Sequence, residues 1–345
     1  MRWGAVKWIR SPAVDIALAL VWLPFALAAR AVNSDSHSLA VLIDATFLLS
    51  FLHQPLTLPL VYADPEQFAL RRKLFVWSPV VFVAAITLGL YVSFALVAIV
   101  AGLWNAEHTL MQRFGVTRIY GRKAGQQEGA LERWMLVSWL VLALVWIAAD
   151  PATPARVARL PIGDVNAASV DRLATFRPAA SALLLPVVAL AIGLAVRWIA
   201  AEYDRARRGE ANPAKWLYVG ATAVLFVWIL VDPISGFVAY VGAHAVEYFV
   251  IVHHSLGTRY ADGSGGPLGS AIRTSHGRAK FFAGYLAAIG VLIVLLNRAP
   301  SPDVYGFAVL FLGGLHVLYD GFIWKLRRPS VARGLVQPMA ANVSA

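Results

Sequence analysis

Apolar residues in this chain run in long blocks instead of the alternating or three-and-four spacing of water-soluble elements. Stretches such as PAASALLLPVVALAIGLAV at 178–196 and YLAAIGVLIVLL at 285–296 contain no charged residue at all. About 20 mostly apolar residues are needed for a helix to cross a bilayer. On that measure the pattern predicts ten spans, at 12–33, 38–62, 73–90, 92–112, 131–149, 178–199, 215–232, 234–258, 279–297 and 304–325. The third and fourth spans run almost together, as do the seventh and eighth, so both connections must be tight. Asp232-Pro233 is a turn signal for the second of these; no comparable signal marks the first. The predicted fold is therefore all-α: one polytopic transmembrane bundle over 1–330, then a tail over 331–345. The N-terminal stretch, with its basic start and A-x-A-like end, resembles a signal peptide, but its apolar run is long enough to span and reads as a retained first helix.

Charge then orients the spans. The N-terminus and the segments after spans two, four, six, eight and ten hold 24 of the 30 Lys and Arg, and the other side holds the remaining six. The positive-inside rule places both termini in the cytoplasm. An odd number of spans would break this agreement. The net charge of +11 is thus topology and attraction to anionic lipid, with no nucleic-acid partner implied. Loop 261–277 (ADGSGGPLGSAIRTSHG) is expected to be flexible and cytoplasmic. Composition agrees: 59% hydrophobic and 14% charged residues, against about 25% charged in soluble domains. The expected location is the bacterial cytoplasmic membrane. With no cysteine, iron–sulfur clusters, thiolate haem and c-type haem are excluded.

Ionisable residues inside spans now stand out. They are Asp44 and His53 in span two, Glu107 and His108 in span four, His244, Glu247, His253 and His254 in span eight, and His316 and Asp320 in span ten. All four helices run in the same direction, and most of these residues fall in the cytoplasmic half. Any one buried histidine could be a hydrogen-bonded packing residue. Imidazoles and carboxylates from four separate helices at one depth instead fit a metal site. The expected ligands are His53, His108, His244, Glu247, His316 and Asp320, with Glu107, His253, His254 and Asp44 in support or as alternates. His244 and Glu247 share a face as an i,i+3 pair. His254 lies about 15 Å from His244 along a regular helix, too far to join the same compact cluster. Asp44 is off the face of His53 and is the weaker candidate.

HTLMQRF at 108–114 and HSLGTRY at 254–260 both read His-x-Leu-x-x-Arg-aromatic. Arg113, Arg118 and Arg259 are therefore candidate contacts to an anion or lipid headgroup, weighed against plain interfacial anchoring. GVTRIYGRKAG at 115–125 reads as a basic aromatic loop below the site.

HQPLTLPLVYAD, WNAEHTLMQRFGVTRIYGRKAG, HAVEYF and LHVLYDGFIWKLRR together resemble segments of bacterial multi-pass membrane proteins. In chemistry they are similar to the histidine-rich membrane iron oxygenases: fatty-acid desaturases, alkane hydroxylases and the Brp/Blh carotene dioxygenases. The HxxxH and HxxHH boxes of the desaturases are absent. The resemblance implies an oxygenase, hydroxylase or desaturase with one or two iron ions, a lipophilic substrate and an electron donor on the cytoplasmic side. Three other classes fit the same residues: an intramembrane zinc hydrolase, a bis-histidine haem electron carrier and a proton-coupled transporter. The carboxylates among the histidines argue against plain haem, and the lack of an evident inverted repeat argues against a transporter. Nothing in the sequence separates iron from zinc.

Overall fold

A computed structural model describes residues 6–157, 174–299, 301–326 and 329–336. Much of the fold is punctuated by one local device, a polar capping residue followed by proline. Ser11-Pro12, Asp64-Pro65, Asn212-Pro213 and Ser301-Pro302 each open a helix, the cap side chain accepting from a backbone N–H of the first turn. Proline fits there because the first helical N–H has no partner inside the helix.

The helices in chain order are α1 (Pro12–Leu20), α2 (Trp22–Val32), α3 (Ser36–His53), α4 (Thr57–Tyr62), α5 (Pro65–Ala69), α6 (Arg72–Val92), α7 (Phe94–Lys123) and α8 (Ala130–Ala149). They continue with α9 (Thr153–Val157), α10 (Arg177–Arg207), α11 (Pro213–Val231), α12 (Pro233–Arg259), α13 (Gly266–Ile272), α14 (Ser275–Asn297), α15 (Pro302–Ile323) and α16 (Pro329–Val336). A 3₁₀ turn at Gln54–Leu56 joins α3 to α4. Among the described residues there is no strand. The protein is an all-α, polytopic helical protein.

Nine helical segments among the described residues are long and apolar enough to cross a membrane: Pro12–Val32, Ser36–Tyr62, Arg72–Val92, Ala130–Ala149, Arg177–Arg207, Pro213–Val231, Pro233–Arg259, Ser275–Asn297 and Asp303–Ile323. These match nine of the ten expected spans. The other, 92–112, lies in α7, which is not among the nine. Residues 115–123, expected as loop, are the last two turns of α7. Loop 261–277 is also more ordered than its glycines suggest, because it contains α13 and the start of α14. Leu185, Ile192 and Val196 of α10, and Val291 and Leu295 of α14, stand exposed. Exposed apolar side chains along long helices are the face a lipid-embedded protein presents.

Both tight connections use the same solution. A single non-helical residue, Ser93 or Asp232, separates the two helices, and a nearby glycine lets them close up. A Cβ on Gly89 would lie 2.7 Å from Val97, and one on Gly236 would lie 2.6 Å from the Ile229 Cα. The signal for the first break was therefore a glycine four residues upstream of the turn.

The helices group into two compact units, residues 1–47 with 106–246 and residues 48–105 with 247–345. The first contains α1, α2, α8–α11 and parts of α3, α7 and α12. Its core is built on Trp22, Leu110, Met135, Leu136, Trp198, Phe226 and Tyr240. α10 lies along α8, and α11 packs on both α1 and α8. Asp15 of α1 is buried and receives Ile9 N–H at 2.5 Å, Arg10 N–H at 3.1 Å and the Tyr120 hydroxyl at 3.0 Å. An ion cluster with a fully buried lysine at its centre sits at the start of α11. Lys215 Nζ donates to Gln126 Oε1 at 2.7 Å, to Glu202 Oε1 at 2.7 Å and to Glu132. Arg118 closes on the second oxygen of Glu132 at 3.0 Å, and Arg205 on Glu202 at 2.5 Å.

The second unit holds α4–α6, α13–α16 and the remaining parts of the shared helices. Leu56, Phe75, Tyr248, Val252, Leu256, Tyr319 and Ile323 form its core. Asp64, the cap of α5, also takes Arg259 at 2.9 Å and the Tyr260 hydroxyl at 2.5 Å. Burial pushes the Tyr260 hydroxyl well above its ordinary range, so it stays a donor in this clamp.

Candidate metal centre

Pro55 sets the second unit's polar centre. It has no N–H to continue an α-helix, so α3 stops at His53 and the chain passes through the 3₁₀ turn into α4. His53 and Thr57 leave this turn buried, 1% and 0% exposed. On α15, His316 and Asp320 are one helical turn apart and also buried. The glycine pair before them allows the approach. A Cβ on Gly314 would fall 2.3 Å from Phe82 of α6, and one on Gly313 would fall 3.1 Å from the Gln54 amide oxygen. Larger residues there would hold α15 away from α6 and the 3₁₀ turn.

The result is a compact polar knot in an apolar setting. The His53 and His316 rings lie 4.7 Å apart, nearly perpendicular at 83°. Tyr248 of α12 packs on both, at 5.1 Å and 5.0 Å. Thr57 Oγ1 is 2.7 Å from His316 Nδ1, 3.1 Å from Asp320 Oδ1 and 2.9 Å from the Tyr248 hydroxyl. Tyr248 also donates to Asp320 Oδ1 at 3.1 Å. His316 Nε2 faces Asp320 Oδ2 at 3.8 Å. His53 and His316 offer ligand atoms within 4.8 Å of each other, as do His316 and Asp320. These buried His and Asp side chains could hold a metal ion.

Two of the expected ligands fall in the first unit. His108 of α7 and His244 of α12 are both buried, with rings 5.0 Å apart at 88°. Gln112 donates to the His244 carbonyl at 3.1 Å, and the Tyr240 hydroxyl to that of Ala106 at 2.8 Å, so α7 and α12 are tied on both sides of the pair.

The remaining candidates are placed differently. Glu247 and His254 are buried in the second unit, and His253 is half-buried against Phe282 at 5.7 Å. Among the described residues of that unit, none of these three joins a metal-ligand grouping. α12 is unbroken from Pro233 to Arg259, which keeps His254 about 15 Å along the helix from His244. Glu107 and Asp44 are exposed, so neither supports a buried centre; each points off the buried face of its helix. The three arginines are engaged inside the protein instead of at headgroups. Arg113 is fully buried, donating to Thr222 at 3.2 Å over the Tyr218 ring. Arg118 serves the Glu132 cluster and Arg259 the Asp64 clamp.

Thr57 and Tyr248 were not singled out by sequence. The only available signals were the i,i+4 spacing of Thr57 from His53 across Pro55, and the position of Tyr248 beside Glu247 in HAVEYF.

Comparison with family profiles, with curated proteins and with solved structures finds no match for this chain.

Proposed function

We propose that this protein is an integral-membrane, metal-dependent oxidoreductase: a non-haem iron oxygenase, hydroxylase or desaturase acting on a lipophilic substrate. The observation that carries the reading is the spacing of His53 and His316 next to Asp320. With metal–nitrogen bonds of about 2.0–2.1 Å, each imidazole centre lies about 3.2 Å from a bound metal. Two imidazoles on opposite sides of a haem iron would then have centres about 6 Å apart, whereas neighbouring ligands of one ion would be about 4.5–5 Å apart. The observed 4.7 Å favours neighbouring ligands and disfavours the bis-histidine haem carrier.

Two histidines and a carboxylate around an ion with open positions is a donor set that suits O₂-activating non-haem iron. Iron so held supplies the oxidising chemistry, and the protein supplies a dry, apolar surrounding that an acyl chain or isoprenoid can enter from the lipid. His53, His316 and Asp320 are the proposed ligands. Reducing equivalents come from a donor on the cytoplasmic side, the face to which the Lys and Arg distribution assigns both termini. Zinc is the competing ion, since a His/His/Asp set with a bound water also serves hydrolysis. Elemental analysis and an absorption spectrum of detergent-purified protein separate the readings. Iron without a Soret band supports the oxygenase; zinc, or a Soret band, replaces it.

A further inference from the structure

We propose that Lys7, Arg10 and Lys123 bind the phosphate of an anionic phospholipid, one of whose acyl chains lies along the outward face of α1. The site belongs to the first unit alone and is independent of the metal centre.

The segment before α1 is fixed in place through its backbone. Lys7 N–H donates to Asn212 Oδ1 at 3.2 Å. Asn212 Nδ2 donates in turn to the Lys7 carbonyl at 2.9 Å and to the Tyr120 carbonyl at 3.2 Å. Lys123 lies about one helical turn beyond Tyr120 on α7. Asp15 takes the N–H groups of Ile9, Arg10 and Ser11 together with the Tyr120 hydroxyl. These bonds bring Lys7, Arg10 and Lys123 to one corner, where the starts of α1 and α11 meet the end of α7.

The corner carries an unbalanced positive charge. Lys7 and Arg10 are exposed and Lys123 is half-buried, and none of the three forms an ion pair among the described residues. Asp15 is buried and already receives four donors. Partial burial holds the Lys123 ammonium below its ordinary range; Asp15 opposes the shift and Lys7 adds to it. A phosphate between Lys7 and Lys123 would offset their repulsion and take charge-assisted hydrogen bonds from the cations around it.

The surface beside the corner singles out a lipid over free phosphate. Pro12, Ala13, Ile16, Ala17 and Leu20 of α1 are all exposed and all apolar, whereas Asp15, Leu18 and Ala19 are buried. At 100° per residue the five exposed positions share one face about 140° wide. That face runs about 12 Å from Pro12 to Leu20, close to the ~15 Å depth of hydrocarbon in one leaflet. It starts two residues after Arg10, so a headgroup held at the corner leaves its chain against it.

The test is native mass spectrometry of the full-length protein in detergent, titrated with dioleoyl phosphatidylglycerol or dioleoyl phosphatidylcholine. Wild type should bind phosphatidylglycerol in preference. Each cation removed should weaken that binding about fivefold. Lys7→Gln with Lys123→Gln should therefore lose about 25-fold while phosphatidylcholine binding stays unchanged, and Lys7→Arg with Lys123→Arg should keep the wild-type preference. Arg10→Gln alone should cost about fivefold and serves independently if the double variant does not fold. Arg72→Gln with Lys73→Gln, which removes two exposed cations from the second unit, should leave binding near wild type. Equal losses in the Lys7/Lys123 and Arg72/Lys73 pairs would overturn the site, because the attraction would then be diffuse. Wild type without a preference for phosphatidylglycerol would overturn it as well. Inorganic phosphate that binds wild type as tightly as phosphatidylglycerol does would make the ligand a soluble phosphate and overturn the lipid assignment.

Discussion

Replacing Lys215 by methionine removes the ammonium at the centre of the ion cluster while keeping most of the side-chain volume. In the native protein that ammonium is fully buried and sits between Glu132 and Glu202, which are 2% and 0% exposed. Without it, Glu132 retains Arg118 at 3.0 Å and Arg205 at 3.9 Å, and Glu202 retains Arg205 at 2.5 Å. The two acids, however, lose the charge between them, and the Gln126 amide oxygen loses its donor. Deleting one member of a buried ion pair costs about 3–5 kcal/mol, because the other charge stays desolvated. That corresponds to roughly two to four decades in the folded-to-unfolded ratio. Reversible denaturation of the purified protein in mixed detergent would read the loss. Adding Glu202→Gln to Lys215→Met should recover part of it, since the most buried acid is then neutral, and the double-mutant cycle isolates that coupling. A loss under about 1 kcal/mol, or additive effects of the two substitutions, would mean that Lys215 is effectively solvated and does not bind the helices of this unit together.

The other predictions are simpler. Gly236→Ala should destabilise by about 1–3 kcal/mol, since the new Cβ meets the Ile229 backbone at 2.6 Å. Gly220→Ala, in the interior of α11 with open space around it, should be neutral or stabilising by up to about 1 kcal/mol; the reverse order in a thermal melt would contradict the packing described. Glu107→Gln, Asp44→Asn and His253→Ala should leave metal content unchanged by elemental analysis, because the first two residues are exposed and the third packs on Phe282. Metal loss in any of them would move that residue into the centre. Reporter fusions at the C-terminal end of this sequence should be active only in the cytoplasm, and activity outside would reverse the orientation drawn from Lys and Arg.

Hydropathy made the helical membrane character legible because lipid demands long apolar runs and internally satisfied backbones. Asp232-Pro233 marked one of the two tight connections at the level of a dipeptide. His53, His316 and Asp320 were legible because an ionisable residue inside an apolar run is conspicuous. Thr57 was not, since a threonine in a span is ordinary until its neighbours from α12 and α15 are in place. Tyr248 was hidden in the same way beside the more conspicuous Glu247. The exposure of Glu107 and Asp44 was not legible, because being within a span says nothing about which face a side chain takes. The partners of the arginine series were hidden for a related reason. Arg113, Arg118 and Arg259 look like interfacial anchors along the chain, but their partners Thr222, Glu132 and Asp64 are distant in sequence or carry no periodic signal.

The central claim is that His53 and His316 bind iron together. Its most direct test is the iron content of detergent-purified protein measured for wild type, His53→Ala and His316→Ala, with membrane insertion confirmed for each. The account predicts near-stoichiometric or higher iron without a Soret band in wild type, and loss of most of that iron in each variant while the protein remains inserted. Full iron in both variants would show that these two histidines are packing residues and would contradict the account.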